Sequence, residues 1–478
     1  MDKNANKRKI IDFNTDDLVF PEQEEIEEDV WIRRLLENYN KKEDKESDEQ
    51  AKNFDKAMGE FGNYIIMAER FNKIQPIYFD NGKIWWMWSH DKKCWLQIDE
   101  VDLMIMVDKA VNDAKTIHPR EKSMIVEALK REGRKKKPKE FKKTWIQFKD
   151  KIIDIKTDEE MIPTPEYFTT NPIPWSLGLS EETPIIDNLF REWVGDKFKT
   201  TLYEIFAYCL LSDYPIHRAF CFIGSGSNGK SKCLLLLIRF IGNDNICSTE
   251  FELLLASRFE VAKLYRKSVC IMGETNFGSI NRTSIFKRLT GQDAIGFEHK
   301  NKTPFDDYNY AKIIIATNSL PITLDKTEGF YRRWQIIEFP NKFTEEKDPL
   351  IGIPEEEFNN LAKRGVRVLK ELLEKRKFTN EMGIEGRKAI YEEKSNYIQS
   401  FINEYCDIDD VNAELEFHQF YREFLAYCKS KSYRELSKKA VGQSLYQMGF
   451  ERANRTKDGT SVNTIIGLKL KEDKVEYW

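Results

Sequence analysis

Residues 224 to 231 read Gly-Ser-Gly-Ser-Asn-Gly-Lys-Ser, between an apolar run suited to a buried strand (Ala219 to Ile223) and one suited to a helix (Cys233 to Ile241). Strand, glycine-rich turn and helix, with Lys-Ser at the helix start, form the pattern of a phosphate-binding loop. Gly224, Gly226 and Gly229 let the backbone turn tightly, so that N–H groups along Ser225, Ser227 and Asn228 can face phosphate oxygens, assisted by the helix dipole. Lys230 is then placed to reach the outer phosphates and Ser231 to offer a hydroxyl to Mg²⁺. The expected ligands are ATP and Mg²⁺, and the expected core is α/β.

The downstream segments fit that core. Ser268 to Met272 (SVCIM) reads as a buried strand followed by Gly273-Glu274, which puts a carboxylate at the carboxyl end of a strand, where ligands collect in parallel sheets. Glu274 is suited to hold Mg²⁺ or to orient water. Ala311 to Thr317 (AKIIIAT) is a second such strand, ending at Asn318, a neutral amide that could position a water. A third, Trp334 to Phe339, follows Arg332-Arg333, and a guanidinium there could stabilise charge on a phosphoryl group in transfer.

GSGSNGKS, VCIMGETN, FKRLTGQDAIGFEHKNKTPF, AKIIIATNSLP and GFYRRWQIIEFP, in that order, resemble motifs A, B, B-prime and C and the arginine finger of superfamily 3 helicases. The likeness is to the branch containing poxvirus and plasmid or satellite-phage primase-helicases. It extends to WIQFKDKIIDIKTDEEMIPTPEYFTTNPIPW (145 to 175) and IFAYCLLSDY (205 to 214), similar to the domain preceding the motor in that branch. The resemblance implies an AAA+-like P-loop motor, a homo-hexameric ring on single-stranded or forked DNA, with ATP between subunits. It makes Lys230 and Ser231 the triphosphate and Mg²⁺ residues, Glu274 the motif B acid, Asn318 the sensor, and Arg332 or Arg333 a finger acting on a neighbour's ATP. Many members carry two acids in motif B, whereas here Gly273 stands at the first position. Asp293 to Pro304 aligns with the hairpin that projects into the ring channel, where His299, Lys300 and Lys302 could follow a phosphate backbone.

The whole chain reads as multidomain α/β. With 478 residues, 41% of them hydrophobic and 33% charged, it can bury a core divided among about three domains. Residues 1–50 hold nine Lys/Arg against sixteen Asp/Glu and read as an acidic, disordered tail with a helical patch near Val30 to Leu36. Residues 51–128 read as an α+β region: a helix over Lys52 to Phe71, then a meander from Pro76 to Asp99 whose Trp85, Trp86 and Trp88 could stack unpaired bases or pack a core. Residues 129–143, with nine basic and two acidic side chains, read as an exposed linker able to touch DNA or simply solvated. The domain preceding the motor then spans 144–215, the motor core 216–345 and a helical connection 346–404.

From 405 to 478, two helix patterns and two β-runs about Asp458-Gly459 outline a winged helix, which the same branch also carries at this position. Its second helix would offer Lys438, Lys439 and Gln443 to DNA, with protein contact as the competing reading. The eight cysteines form no C-x-x-C pair and read as buried thiols. No membrane partner is expected: there is no apolar run of membrane-spanning length, and the charged start lacks a secretory pattern, which points to the cytoplasm. The first 140 residues show no carboxylate cluster suited to a primase, so a primase or loader would be a separate chain. An ATP-regulated origin-binding initiator is the alternative to a helicase.

Overall fold

The computed structural model describes residues 64–111, 119–273, 279–280, 282–300, 302–344, 348–431, 433, 435–457 and 460–471. The expected acidic tail, most of the Lys52 to Phe71 helix, the turn at Asp458-Gly459 and Glu274 lie outside them. The chain divides into two compact units. One takes residues up to 71 and 114–129, of which 64–71 and 119–129 are described and helical. The other takes 72–113 and 130–478 and contains all the sheets.

The second unit is built on a five-stranded sheet, parallel throughout: β1 (Ala219–Ile223), β2 (Ile246–Ser248), β3 (Val269–Met272), β4 (Lys312–Thr317) and β5 (Trp334–Glu338), in the order β2-β3-β4-β1-β5. Both faces are covered, which explains why these strands are apolar runs without alternation. Phe220, Phe222, Ile314, Ala316, Val269 and Ile271 point into one core cluster; their neighbours Cys221, Ile223, Ile313, Ile315, Cys270 and Met272 point into another. The first face is packed by α1 (Pro184–Tyr208), α2 (Lys230–Ile241) and α3 (Glu355–Lys375). Helix α1 is interrupted at Gly195, where φ is +69°.

Around the sheet lie smaller parts. The expected meander is present as antiparallel strands Ile77–Phe79, Trp85–Ser89 and Cys94–Ile98, and Trp85, Trp86 and Trp88 are each at most 4% exposed. That burial settles their role as core: Trp86, Trp88 and Trp95 pack with Phe168. A hairpin pairs Ala294–Phe297 with Phe305–Tyr308. Helix α4 (Ile384–Ser395) leads to a C-terminal group of α5 (Phe417–Lys431), α6 (Lys438–Gln447) and the antiparallel strands Arg452–Lys457 and Thr460–Ile466, with its own core around Phe401, Phe420, Phe424, Val441 and Leu445.

Two readings need correction. The stretch expected to be an exposed linker from 129 is helical as far as Lys135, part of a helix Pro119–Lys135. Its Lys, Arg, Glu and Leu residues are good helix formers, and the helix stops before Pro138, which disfavours helical backbone in front of it. Its charges are partly internal: Glu132, 4% exposed, accepts from Asn72 and pairs with Lys135 and Lys136, while Arg134 donates to the carbonyls of Phe79 and Asp80. The eight cysteines are free thiols as expected, but Cys247 is only partly buried. No helix among the described residues is long and apolar enough to cross a membrane.

Candidate functional site

The glycine-rich loop leaves the carboxyl end of β1 and enters α2. Gly229 has φ +86°, and a Cβ there would stand 2.5 Å from the Trp193 ring. At Gly224 a Cβ would fall 1.8 Å from Asn228 Nδ2. Asn228 is 2% exposed and donates to the Phe339 carbonyl at 3.0 Å, tying the loop to the end of β5. Gly226 and Ser227 are also left-handed, with φ +91° and +46°. This path spends the Gly224 and Ser227 carbonyls and the Asn228 amide on protein partners, whereas the N–H groups of Ser225, Gly226, Ser227 and Asn228 have no acceptor among the described residues. No side chain caps the N-terminus of α2. Successive unpaired N–H groups at a helix start are a ready receptor for anionic oxygens.

Lys230 is 4% exposed, and its Nζ donates to Gly224 O at 2.8 Å, Asn228 Oδ1 at 2.9 Å and Asn318 Oδ1 at 3.1 Å. Asn318 directly follows β4, the neighbour of β1, so the amide and the ammonium meet at the carboxyl ends of adjacent strands. The connection from β1 runs to β2 on one side and the connection from the adjacent β4 runs to β5 on the other, so these two strand ends sit where open α/β sheets gather ligands. Ser231 is exposed beside them.

The two arginines part company. Arg333 is 6% exposed; its guanidinium donates to Thr290 Oγ1 at 2.9 Å, to Lys287 O at 3.0 and 3.2 Å, and to Gly329 O. Arg332, one residue earlier, is exposed.

At the hairpin, Phe297 pairs with Phe305, and residues 298–300 and 302–304 lie between the two strands. Lys300 is exposed and Lys302 half-buried. His299 packs inward: its ring stacks on Phe305 and meets Tyr265 edge-on, and its Nε2 is buried without a partner. Burial, then the nearby Lys302, lowers its pKa below the usual histidine value, so at neutral pH it adds no cation to the turn. The Phe305 ring in turn lies against Gly82 of the meander, where a Cβ would come within 2.6 Å. On α6, Lys438 and Lys439 are exposed at the helix start, behind the N-cap Ser437, and Gln443 is exposed on the next turn.

Sequence reasoning missed the residues that fix the route from Asn318 to Arg332. Asp325 takes a 2.5 Å ion pair from Lys287 and hydrogen bonds from Thr283 and Thr327; burial alone would raise its pKa, but these donors hold it well below the usual carboxylate range. Helix α4 is wired to the same route: Tyr391 donates to Pro321 O, Tyr331 to Glu392, and the Leu320 N–H to Lys394 O. Asp325-x-Thr327 was visible as an Asx turn; the contacts from 384–395 carry no local signal.

A family of unknown function, DUF5906, matches residues 222–333, which hold the loop, Asn318 and both arginines. No curated protein matches the chain. Among solved structures it is similar to the A form apo structure of the NrS-1 C-terminal region, with 15% identity, 84% of this chain and 98% of that chain covered, and a TM-score of 0.45. A second apo structure of that region gives 15% identity, the same coverage and a TM-score of 0.44.

Proposed function

We propose that this chain is an ATP-driven motor that moves along single-stranded DNA as a homo-hexameric ring and opens forked DNA during replication of a plasmid, virus or integrated element. The observation that carries the reading is the meeting of Lys230 Nζ with Gly224 O, Asn228 and Asn318 beneath a loop whose N–H groups from Ser225 to Asn228 lack acceptors among the described residues. Buried ammonium, open donors and an exposed Ser231 hydroxyl are a donor set that fits Mg²⁺-ATP. ATP supplies the phosphoryl group whose transfer to water drives the motor. The loop and Lys230 hold the phosphates; Ser231 and Glu274 hold Mg²⁺; Asn318 and Glu274 orient water. Arg332, exposed and with no side-chain hydrogen-bond or ion-pair partner among the described residues, serves as the finger on a neighbouring subunit's ATP, and Arg333 holds the backbone beneath it. Lys300 and Lys302 track the strand, and residues from about 405 form a winged helix whose Lys438 and Lys439 meet duplex phosphates. A separate primase or loader is the expected protein partner.

The exposed Lys438, Lys439 and Gln443 favour a second reading, an origin-binding initiator in which ATP governs assembly. Strand displacement on a tailed duplex separates the two. The motor reading requires displacement that depends on ATP and is lost in Lys230→Ala. ATP hydrolysis and origin binding without displacement favour the initiator, and hydrolysis that survives Lys230→Ala overturns both.

A further inference from the structure

Two of the eight free cysteines stand directly opposite each other on neighbouring strands: in the parallel pairing of β2 with β3, Cys247 is in register with Cys270. Side chains opposite each other in a ladder share a face of the sheet, and both thiols belong to the core cluster that holds Phe251 and Met272, Cys270 within it and Cys247 at its margin. The Cys247 thiol, in hydrogen-bonding reach, and then burial raise the Cys270 pKa above the usual thiol value, so Cys270 keeps its proton at neutral pH. No third His, Cys, Asp or Glu completes a metal site with them among the described residues. The pair is a dithiol and nothing more.

Exposure sets the two apart. Cys270 is fully buried, whereas Cys247 is half-buried on β2, a three-residue strand at the edge of the sheet. An edge strand has one unpaired flank, and one this short opens locally at small cost, which gives a small oxidant access to Cys247 first. Neighbouring strands run about 4.8 Å apart, inside the Cα separation of about 4.4–6.8 Å that a disulfide spans. Their Cβ atoms must lean together by roughly an ångström or less to reach the usual disulfide separation, a displacement that a short edge strand can supply. A disulfide at such an edge, reached by solvent, belongs to the labile and reversible kind.

We propose that Cys247 and Cys270 form a reversible redox site whose oxidant is a hydroperoxide. The Cys247 sulfur attacks a peroxide oxygen and the O–O bond breaks; with hydrogen peroxide, the displaced hydroxide takes the thiol proton and leaves as water, and Cys247 becomes a sulfenic acid. The Cys270 sulfur then attacks the Cys247 sulfur. The S–O bond breaks, the departing hydroxide takes the Cys270 proton and leaves as a second water, and the S–S bond forms. The peroxide gains two electrons and the thiol pair loses two, and a thiol reductant restores the pair by exchange. Strand β3 ends at Met272 and is followed in sequence by Gly273-Glu274. Fastening β3 to β2 restricts the strand that leads to that acid, so ATP hydrolysis should fall reversibly on oxidation; this consequence alone rests on the motor reading.

The test uses the full chain, reduced, freed of reductant and exposed to hydrogen peroxide, then quenched with N-ethylmaleimide in denaturant and digested with trypsin without reduction. Residues 240–258 and 268–282 are tryptic peptides with one cysteine each. The expected product is their cross-link, two hydrogens lighter than the sum of the two and split by dithiothreitol. Cys270→Ala should stop at the Cys247 sulfenic acid, trapped by dimedone, and Cys247→Ser should leave Cys270 unoxidised at the same dose. Hydrolysis of ATP should fall several-fold in the oxidised wild-type chain, return with dithiothreitol, and hold in Cys247→Ser. Should Cys270→Ala fail to fold, the wild-type peptide map and Cys247→Ser carry the test. Either peptide joined to other cysteines instead, or both recovered with N-ethylmaleimide after oxidation, overturns the site. A cross-link formed with undiminished hydrolysis overturns its control of the motor. Absence of hydrolysis in the reduced chain overturns the motor reading, and the cross-link then decides the site by itself.

Discussion

Replacing Arg332 and Arg333 one at a time should separate function from architecture at a single dipeptide. Arg333→Ala removes a guanidinium 6% exposed, leaves the Gly329 carbonyl and the Thr290 hydroxyl without its donation, and leaves the Lys287 carbonyl only a 3.5 Å bond from Thr290 Oγ1. Each unsatisfied buried acceptor costs about 1–3 kcal/mol; with partial rehydration through the vacated volume, a total of about 3 kcal/mol is expected, a shift of about a hundredfold in the folding equilibrium. Arg332→Ala deletes an exposed side chain and should change stability by no more than about 0.5 kcal/mol. Its cost should fall on turnover, by about 10³-fold or more for a guanidinium that stabilises a transferring phosphoryl group. Urea melts and steady-state ATP hydrolysis measure the two effects. Mixing Arg332→Ala with Lys230→Ala subunits should restore part of the hydrolysis, because a mixed interface needs one intact loop and one intact finger. Full turnover in Arg332→Ala, or wild-type stability in Arg333→Ala, refutes the assignment. No recovery in demonstrably mixed rings refutes action between subunits.

Lys230→Ala should abolish ATP hydrolysis while circular dichroism shows the fold retained, since the loop is held by Asn228 and Trp193 as well as by the lysine. Lys300→Ala should weaken single-strand binding several-fold and leave basal hydrolysis in place; equal loss of both would put Lys300 in the nucleotide site. Lys312 is fully buried and donates to Leu211 O and to Asp213 O at 2.8 Å, and burial lowers its pKa to about 7. Between that value and the unfolded lysine value the unfolded chain holds the extra proton, so stability should rise with pH, by at most about 1.4 kcal/mol per unit near pH 8. Lys312→Met should flatten that rise between pH 7 and 9, read from urea midpoints; an unchanged slope would show that Lys312 does not titrate there. The double change Lys438→Ala and Lys439→Ala should reduce the salt slope of duplex binding by about 1.8, and an unaltered slope would assign α6 to protein contact.

What was legible in the chain was what local pattern encodes. Continuous apolar runs bounded by Gly, Asn or Arg gave the strands from 219, 268, 311 and 334, because a strand covered on both faces has no polar alternation to hide it. The strand Ile246–Ser248 is three residues long and half-buried, and it left no such run. The loop was legible because Gly229 and Gly224 stand where side chains would collide with Trp193 and Asn228. The different fates of Arg332 and Arg333 were not, since only the fold brings Thr290 and Lys287 O, more than forty residues away, to one guanidinium. Charge misled twice for the same reason. The basic run read as a linker and His299 as a channel cation, but Arg134, though exposed, is spent on the carbonyls of the meander and His299 is folded against Phe305.

If the chain is the proposed motor, that second misreading alters how force would pass through it. A channel hairpin carried on a free turn would move with its DNA-facing lysines alone. Here Phe305 packs against Gly82 and His299 stacks on Phe305, so the hairpin root is braced by the meander, while its strand leads through Asn309 into β4 and hence to Asn318. Lys312, at the start of β4, is anchored to the carbonyls that follow α1. Movement of Asn318 with the state of the phosphates would therefore be transmitted along a strand fixed at its far end, and would reach Lys300 only by shifting Phe305 on the meander. Enlarging Gly82 to Ala tests this: the new methyl would press on the Phe305 ring and displace the hairpin root without touching the nucleotide loop. Unwinding per ATP hydrolysed should fall while basal hydrolysis and oligonucleotide affinity hold. A proportional fall in hydrolysis and unwinding would show that the meander supports the fold of the whole core and does not brace the hairpin alone.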